Sequence, residues 1–280
     1  MGLVLHALLT LVTMYATARS PWVGMSAAAA IGAGVSLTGG VRYDWLPIVL
    51  GGVVMGLMTR AQARPSLAVL GTGLAMGTLV ALIALTGDRE VLRADLEHML
   101  ETQAAALNLP QEGVSIDALT DVVLMAMPAA TIISVVGALA LAYWMALRVF
   151  PRLGVSVPSP EPLALWRGPF LLAWTFAAGL LALVLGRAMD VMSLTAVGLN
   201  VSLLHAVAFF VLGVGVIRYR LVAAGLTHRL QVLMLALLLV VGLLLPLPLV
   251  VVALGLFDIW FDFRKLDAPV DPEGPVPKLG

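Results

Sequence analysis

The chain has 280 residues, is 61% hydrophobic and only 11% charged, and carries no formal net charge; its mean hydropathy is +1.05. A soluble fold would have to expose much of that apolar surface to water, so composition assigns the chain to the membrane class, and zero net charge gives no basis for nucleic-acid binding. The absence of cysteine excludes disulfides and thiolate metal sites, and His6, His98, His205 and His228 are too scattered for a metal-ligand spacing.

A membrane-crossing helix needs about 20 largely apolar residues to traverse roughly 30 Å of hydrocarbon. Residues 3–18 form a short run of this kind. Its end at Ala16-Thr17-Ala18 mimics a signal-peptide cleavage site, yet no Lys or Arg precedes it, so it reads as a retained first span. Residues 22–40 are rich in Ala, Gly and Ser, which suits close helix packing. Residues 46–59 are short and open with Pro47, as in a re-entrant or protein-buried span, whereas 67–85 reads as a full crossing. Gly52 with Gly56 and Gly73 with Gly77 have the small-xxx-small spacing of packed membrane helices.

Residues 88–121 hold eight of the sixteen acidic residues and two of the sixteen basic ones. They read as an extracytoplasmic acidic loop. Leu92, Leu96, Met99 or Leu100, and Leu107 recur at helical spacing, with Asp88 as a cap and Asn108 and Pro110 as the stop. The pattern predicts one outer amphipathic helix on the membrane surface or over the bundle. Residues 122–150 predict a long transmembrane helix that tolerates Pro128. The proline-rich stretch 151–165 predicts a semi-rigid cytoplasmic linker.

The C-terminal half, 166–266, opens with Trp166, Arg167 and Pro169, an interfacial anchor followed by a helix-starting proline. Residues 170–186 and 194–217 predict spans, 230–263 a hairpin split by Pro246 and Pro248, and 267–280 a disordered tail. Basic residues in the loops set the orientation. With the tail inside, twelve basic residues lie in the cytoplasm, against Arg42, Arg89, Arg93 and Arg187 outside. The predicted fold is an all-α polytopic transmembrane bundle of about seven to nine hydrophobic segments.

Polar groups within spans are functional candidates, because leaving them unpaired in hydrocarbon costs several kcal/mol. Asn200 and His205 qualify as ligand-binding residues, although they lie about 140° apart around a helix and could each simply bond a neighbouring helix. Arg187 and Asp190 could hold a charged or zwitterionic solute at a cavity mouth, or form an interfacial salt bridge. Asp258, Trp260, Asp262 and Arg264 could serve partner docking or ion coupling, with Trp260 and Arg264 spaced for a cation–π contact; the plainer role is an interfacial anchor. No phosphate loop, His-Glu-x-x-His or Gly-x-Ser-x-Gly is present, so neither catalysis nor a cofactor is predicted.

The stretch from Trp166-Arg167-x-Pro169 through Asn200 and Gly213 to Leu254-Gly255-Leu256-x-Asp258 and Phe263-Arg264 resembles the YybS-like family of bacterial membrane proteins, which looks related to the S components of energy-coupling-factor transporters. That resemblance implies a bacterial inner-membrane protein that binds a small solute near its outer face and docks on transporter subunits. The motif Ala29-x-x-x-Ala33 is similar to the docking motif of such subunits. The alternative is a structural membrane protein that docks a cytoplasmic assembly. Lipid is a partner in either case.

Overall fold

A computed structural model of the chain describes residues 2–37, 45–85, 89–106, 115–242 and 247–265. Among them all regular structure is helical, the arrangement that satisfies every backbone donor and acceptor locally where no water is at hand. In chain order the helices are α1 (Gly2–Arg19), α2 (Pro21–Leu37), α3 (Trp45–Arg60), α4 (Thr72–Leu85), α5 (Arg89–Ala106), α6 (Ile116–Val149), α7 (Phe170–Ala188), α8 (Met192–Ala223), α9 (His228–Gly242) and α10 (Leu247–Phe261). A wider, π-type turn at Leu67–Gly71 leads into α4. Three segments, Ile116–Leu153, Phe170–Ala188 and Met192–Ala223, are long and apolar enough to cross a membrane, and Pro21–Ile31, Ile48–Arg60, Ala68–Ile83 and Leu247–Phe261 are shorter apolar helices.

The chain divides into two compact units, Met1–Pro160 and Glu161–Gly280. The first is built around Met14, Met55, Val135, Leu139, Tyr143, Ala146 and Phe150. Within it α3 lies on α1 where Gly52 and Gly56 face Thr10, Thr13, Met14 and Thr17, and a Cβ on these glycines would enter those residues. Gly73 and Gly77 bring α4 equally close to Val136 and Ile132 of α6. Both glycine pairs thus perform the packing their spacing implies. Of the threonines buried on α1, Thr13 donates to the Leu9 and Thr10 carbonyls and Thr17 to the Thr13 carbonyl of the same helix, while Thr10 donates across the seam to the Ile48 carbonyl of α3 at 3.4 Å.

Two boundaries differ from the sequence expectation. Helix α6 begins before residue 122: Ser115 caps it by accepting from the Ala118 N–H, and Asp117 sits in its first turn, where a negative charge favours a helix start. Asp117 and Asp121 therefore belong to this helix rather than to a separate loop. At about 1.5 Å per residue, α6 is about 51 Å long, longer than the roughly 30 Å thickness of a bilayer's hydrocarbon. The second difference is the proline-rich stretch. Val155 and Val157 pack on the core of the first unit, Gly154 reverses the chain at φ 75°, and the Tyr143 hydroxyl donates to the Pro158 carbonyl at 2.7 Å. Apolar residues between the prolines dock this part of the linker where a purely polar one would stay free.

The second unit packs α8 between α7 and α10. Gly179 meets Val201, Gly198 meets the Leu183 backbone, Gly213 lies against the Val251 carbonyl and Gly255 against the Phe209 carbonyl. A short turn at Leu163–Leu165 covers α8 at Gly215. Helix α10 starts at Leu247 with Pro248 in its first turn, and residues 243–246, where the hairpin was expected to turn, lie outside the described residues. Arg42, Asp88, Leu107, Asn108, Pro110, Pro246 and the tail 267–280 lie outside the described residues.

Candidate functional site

The charged cluster at the end of α10 turns inward. The helix stops at Phe261, Asp262 takes a left-handed conformation at φ 39°, and the chain reverses so that Arg264 folds back beneath the helix it follows. Its side chain is 1% exposed. Both Nε and Nη2 donate to Asp258 Oδ2, at 3.1 and 2.6 Å, and Nη1 donates to the Ala164 carbonyl at 2.8 Å. Arg220 of α8 donates to the Phe263 carbonyl at 2.6 Å and holds the same turn. Asp258 Oδ1 is left buried without a donor.

This geometry corrects two expectations. No cation–π contact joins Arg264 to Trp260, because the helix on which they would be four residues apart has already ended; Trp260 instead meets the Phe170 ring edge-on at 5.9 Å. Asp262, having left the helix, does not share a helical face with Asp258. Asp258 and Arg264 neutralise one another inside the unit, while Trp260 and Phe261 stay largely exposed.

Asn200 and His205 are also bound locally. The Asn200 amide donates to the Ala196 carbonyl at 2.7 Å. His205 joins α8 to α7: Nε2 lies 2.7 Å from Thr175 Oγ1, Nδ1 lies 2.7 Å from the Val201 carbonyl, and the ring stacks near Phe176. Both ring nitrogens have partners, so His205 is fitted as a link between helices. At the turn from α7 to α8, Asp190 holds a left-handed conformation at φ 54°, a geometry that Asp tolerates better than most residues. Arg187 and Asp190 are both exposed there and form no ion pair.

Helix α5, the expected amphipathic helix, is fastened to α6 by Arg93. Its guanidinium donates to Glu97 and to Asp121, both at 2.7 Å, and lies 4.0 Å from Asp117. Its hydrogen bond to Glu97, then its hydrogen bond to Asp121 and that carboxylate's negative charge, hold its pKa above the ordinary arginine value.

The feature that sequence reasoning missed lies at the other end of the first unit. There α1 and α3 finish side by side, and Arg60 Nη1 donates to the Arg19 carbonyl at 3.2 Å, capping the end of α1. A cleft of about 300 Å³ opens beside them, lined by Ala18, Arg19, Thr59, Arg60, Gln62, Gly154, Val155 and Ser156. Gln62 sits at φ 52°, and its amide bridges the Thr59 carbonyl at 3.0 Å and Ser156 Oγ at 3.3 Å, which fixes one wall. Arg19 makes one side-chain bond, to the Tyr15 hydroxyl at 3.0 Å. Among the described residues neither Arg19 nor Arg60 pairs with a carboxylate. The clue in the sequence is that Asp44 is the single acidic residue before Asp88.

Long apolar helices and glycine seams, with charges sparse outside α5 and the helix ends, define an α-helical membrane protein. The chain belongs to the DUF2232 family of predicted membrane proteins, which it matches over residues 1–259. No curated protein and no solved structure matches it.

Proposed function

We propose that this chain is a multi-pass protein of the bacterial inner membrane, with seven to nine apolar segments and a cytoplasmic C-terminus, that binds a small polar solute without transforming it. The observation carrying this reading is the cleft beside Arg19 and Arg60, whose volume of about 300 Å³ falls at the lower end of the range for small-molecule sites. The bias of basic residues puts this cleft on the cytoplasmic face. The YybS-like resemblance and its link to S components favour solute recognition. They point to an outer-face ligand, however, whereas Asn200 and His205 have local partners. The binding site is therefore assigned to the first unit. Thermal unfolding of the detergent-solubilised protein against vitamins, nucleosides, metal ions and phosphorylated solutes tests the reading. A saturable rise in melting temperature with one class supports it, and copurified transporter subunits would extend it to transport. If no class shifts the melting temperature, solute binding is wrong.

A second reading, docking of a cytoplasmic partner, draws on the exposed Trp260 and Phe261 beside Lys265. Photocrosslinking from position 261 that recovered only lipid would leave that face as a membrane anchor.

A further inference from the structure

The cleft of the first unit has a definite chemical character. Five arginines, Arg19, Arg60, Arg64, Arg148 and Arg152, lie in or next to the segments that meet at this end, and among the described residues none is paired with a carboxylate. Arg148 is occupied, its guanidinium 3.5 Å over the Trp144 ring. Arg19 and Arg60 line the cleft itself and are exposed. A guanidinium carries five N–H donors, and each of these two has one side-chain bond to the protein, so most of their donors remain for a ligand. Ser156 Oγ accepts from Gln62, which leaves its own proton to donate. Gly154 adds no bulk, and nothing lies within 4 Å of where its Cβ would stand.

Capping of helix ends accounts for the position of these two arginines. It does not account for two forked cations lining one open cleft whose wall is held in shape by Gln62. Planar forks of this kind match the oxygens of a phosphate. Resting on the solute-binding reading above, we infer that the cleft between Arg19, Arg60 and Ser156 binds the phosphate group of an anionic ligand, carried by a lipid headgroup or by a free phosphorylated solute.

Isothermal titration of the full chain in a neutral detergent separates the sources. The titrants are inorganic phosphate, glycerol phosphate, short-chain phosphatidylglycerol and short-chain phosphatidylcholine. Saturable binding of phosphatidylglycerol alone assigns a lipid headgroup, and binding of glycerol phosphate or phosphate as well assigns a free solute; both outcomes support the inference. Arg60→Gln and Arg19→Gln should each weaken binding by about tenfold or more. Arg60→Lys keeps the charge without the fork and should fall between them and the parent. Arg152→Gln, with the same change in net charge, should bind as the parent does. Equal affinity for phosphatidylcholine and phosphatidylglycerol, or equal losses in Arg152→Gln and Arg60→Gln, would overturn the inference. If none of the four titrants binds while an uncharged solute raises the melting temperature, the phosphate assignment fails and the wider reading stands. If nothing binds at all, both fail.

Discussion

Two arginines placed near helix ends have opposite fates in this molecule. Arg264 is withdrawn from solvent, and each of its three nitrogens donates to the protein, two to Asp258 and one to Ala164. Arg60 remains exposed, caps one carbonyl and keeps most of its donors open beside a cleft. The difference originates in their neighbours. Arg264 follows a reversal at Asp262 that swings it under a helix carrying an acceptor, whereas the helices beside Arg60 offer no carboxylate among the described residues. A cation with a buried partner is fixed within its unit, where breaking the pair is costly, and one without a partner is available to a ligand.

The largest predicted effect breaks the buried side of this contrast. Arg264→Met leaves the Asp258 carboxylate buried and unpaired, and should destabilise the second unit by about 3–5 kcal/mol in denaturant unfolding from detergent micelles. The double variant Asp258→Leu, Arg264→Met removes both charges and should recover most of that loss. If the double variant is no more stable than the single one, the pair is not acting as a unit. Next in size, Gly213→Val forces a side chain into the backbone of α10 and should cost about 1–3 kcal/mol, read in the same assay.

A smaller loss, about 1 kcal/mol, is expected for Thr175→Val, which removes the hydroxyl that meets His205. Ligand affinity should not change, because this link lies in the second unit. A loss of affinity without a loss of stability would return His205 to the list of binding residues. The smallest effect belongs to Arg93→Gln, whose three carboxylate neighbours are partly exposed to strongly exposed. Its effect on the melting temperature should shrink as salt is added, since screening acts most strongly on exposed pairs.

The helical class and the positions of most helices were legible because long runs of apolar residues between charges mark continuous helical segments. Gly52, Gly56, Gly73 and Gly77 were legible for a related reason: a four-residue spacing places small residues on one helix face, whichever helix they meet. The start of α6 was misplaced because Asp117 and Asp121 looked like loop residues, although acids suit a helix N-terminus as well. The fate of Arg264 was hidden by the assumption that α10 continued past Phe261. Once Asp262 adopts a left-handed turn, helical spacing no longer says which residues share a face. The cleft was hidden by distance along the chain, since its contacts join residues 41 and 94 positions apart. No local pattern reports such a meeting.

The most direct test compares thermal unfolding of Arg60→Gln and Arg264→Met full-length protein, each with and without a saturating phosphate-bearing ligand. Arg60→Gln, which gives up one exposed cap on α1, should melt close to the parent without ligand and lose the ligand-induced rise, whereas Arg264→Met should melt much lower and keep the rise. An Arg60→Gln protein that retains the full rise, or an Arg264→Met protein as stable as the parent, would contradict the account.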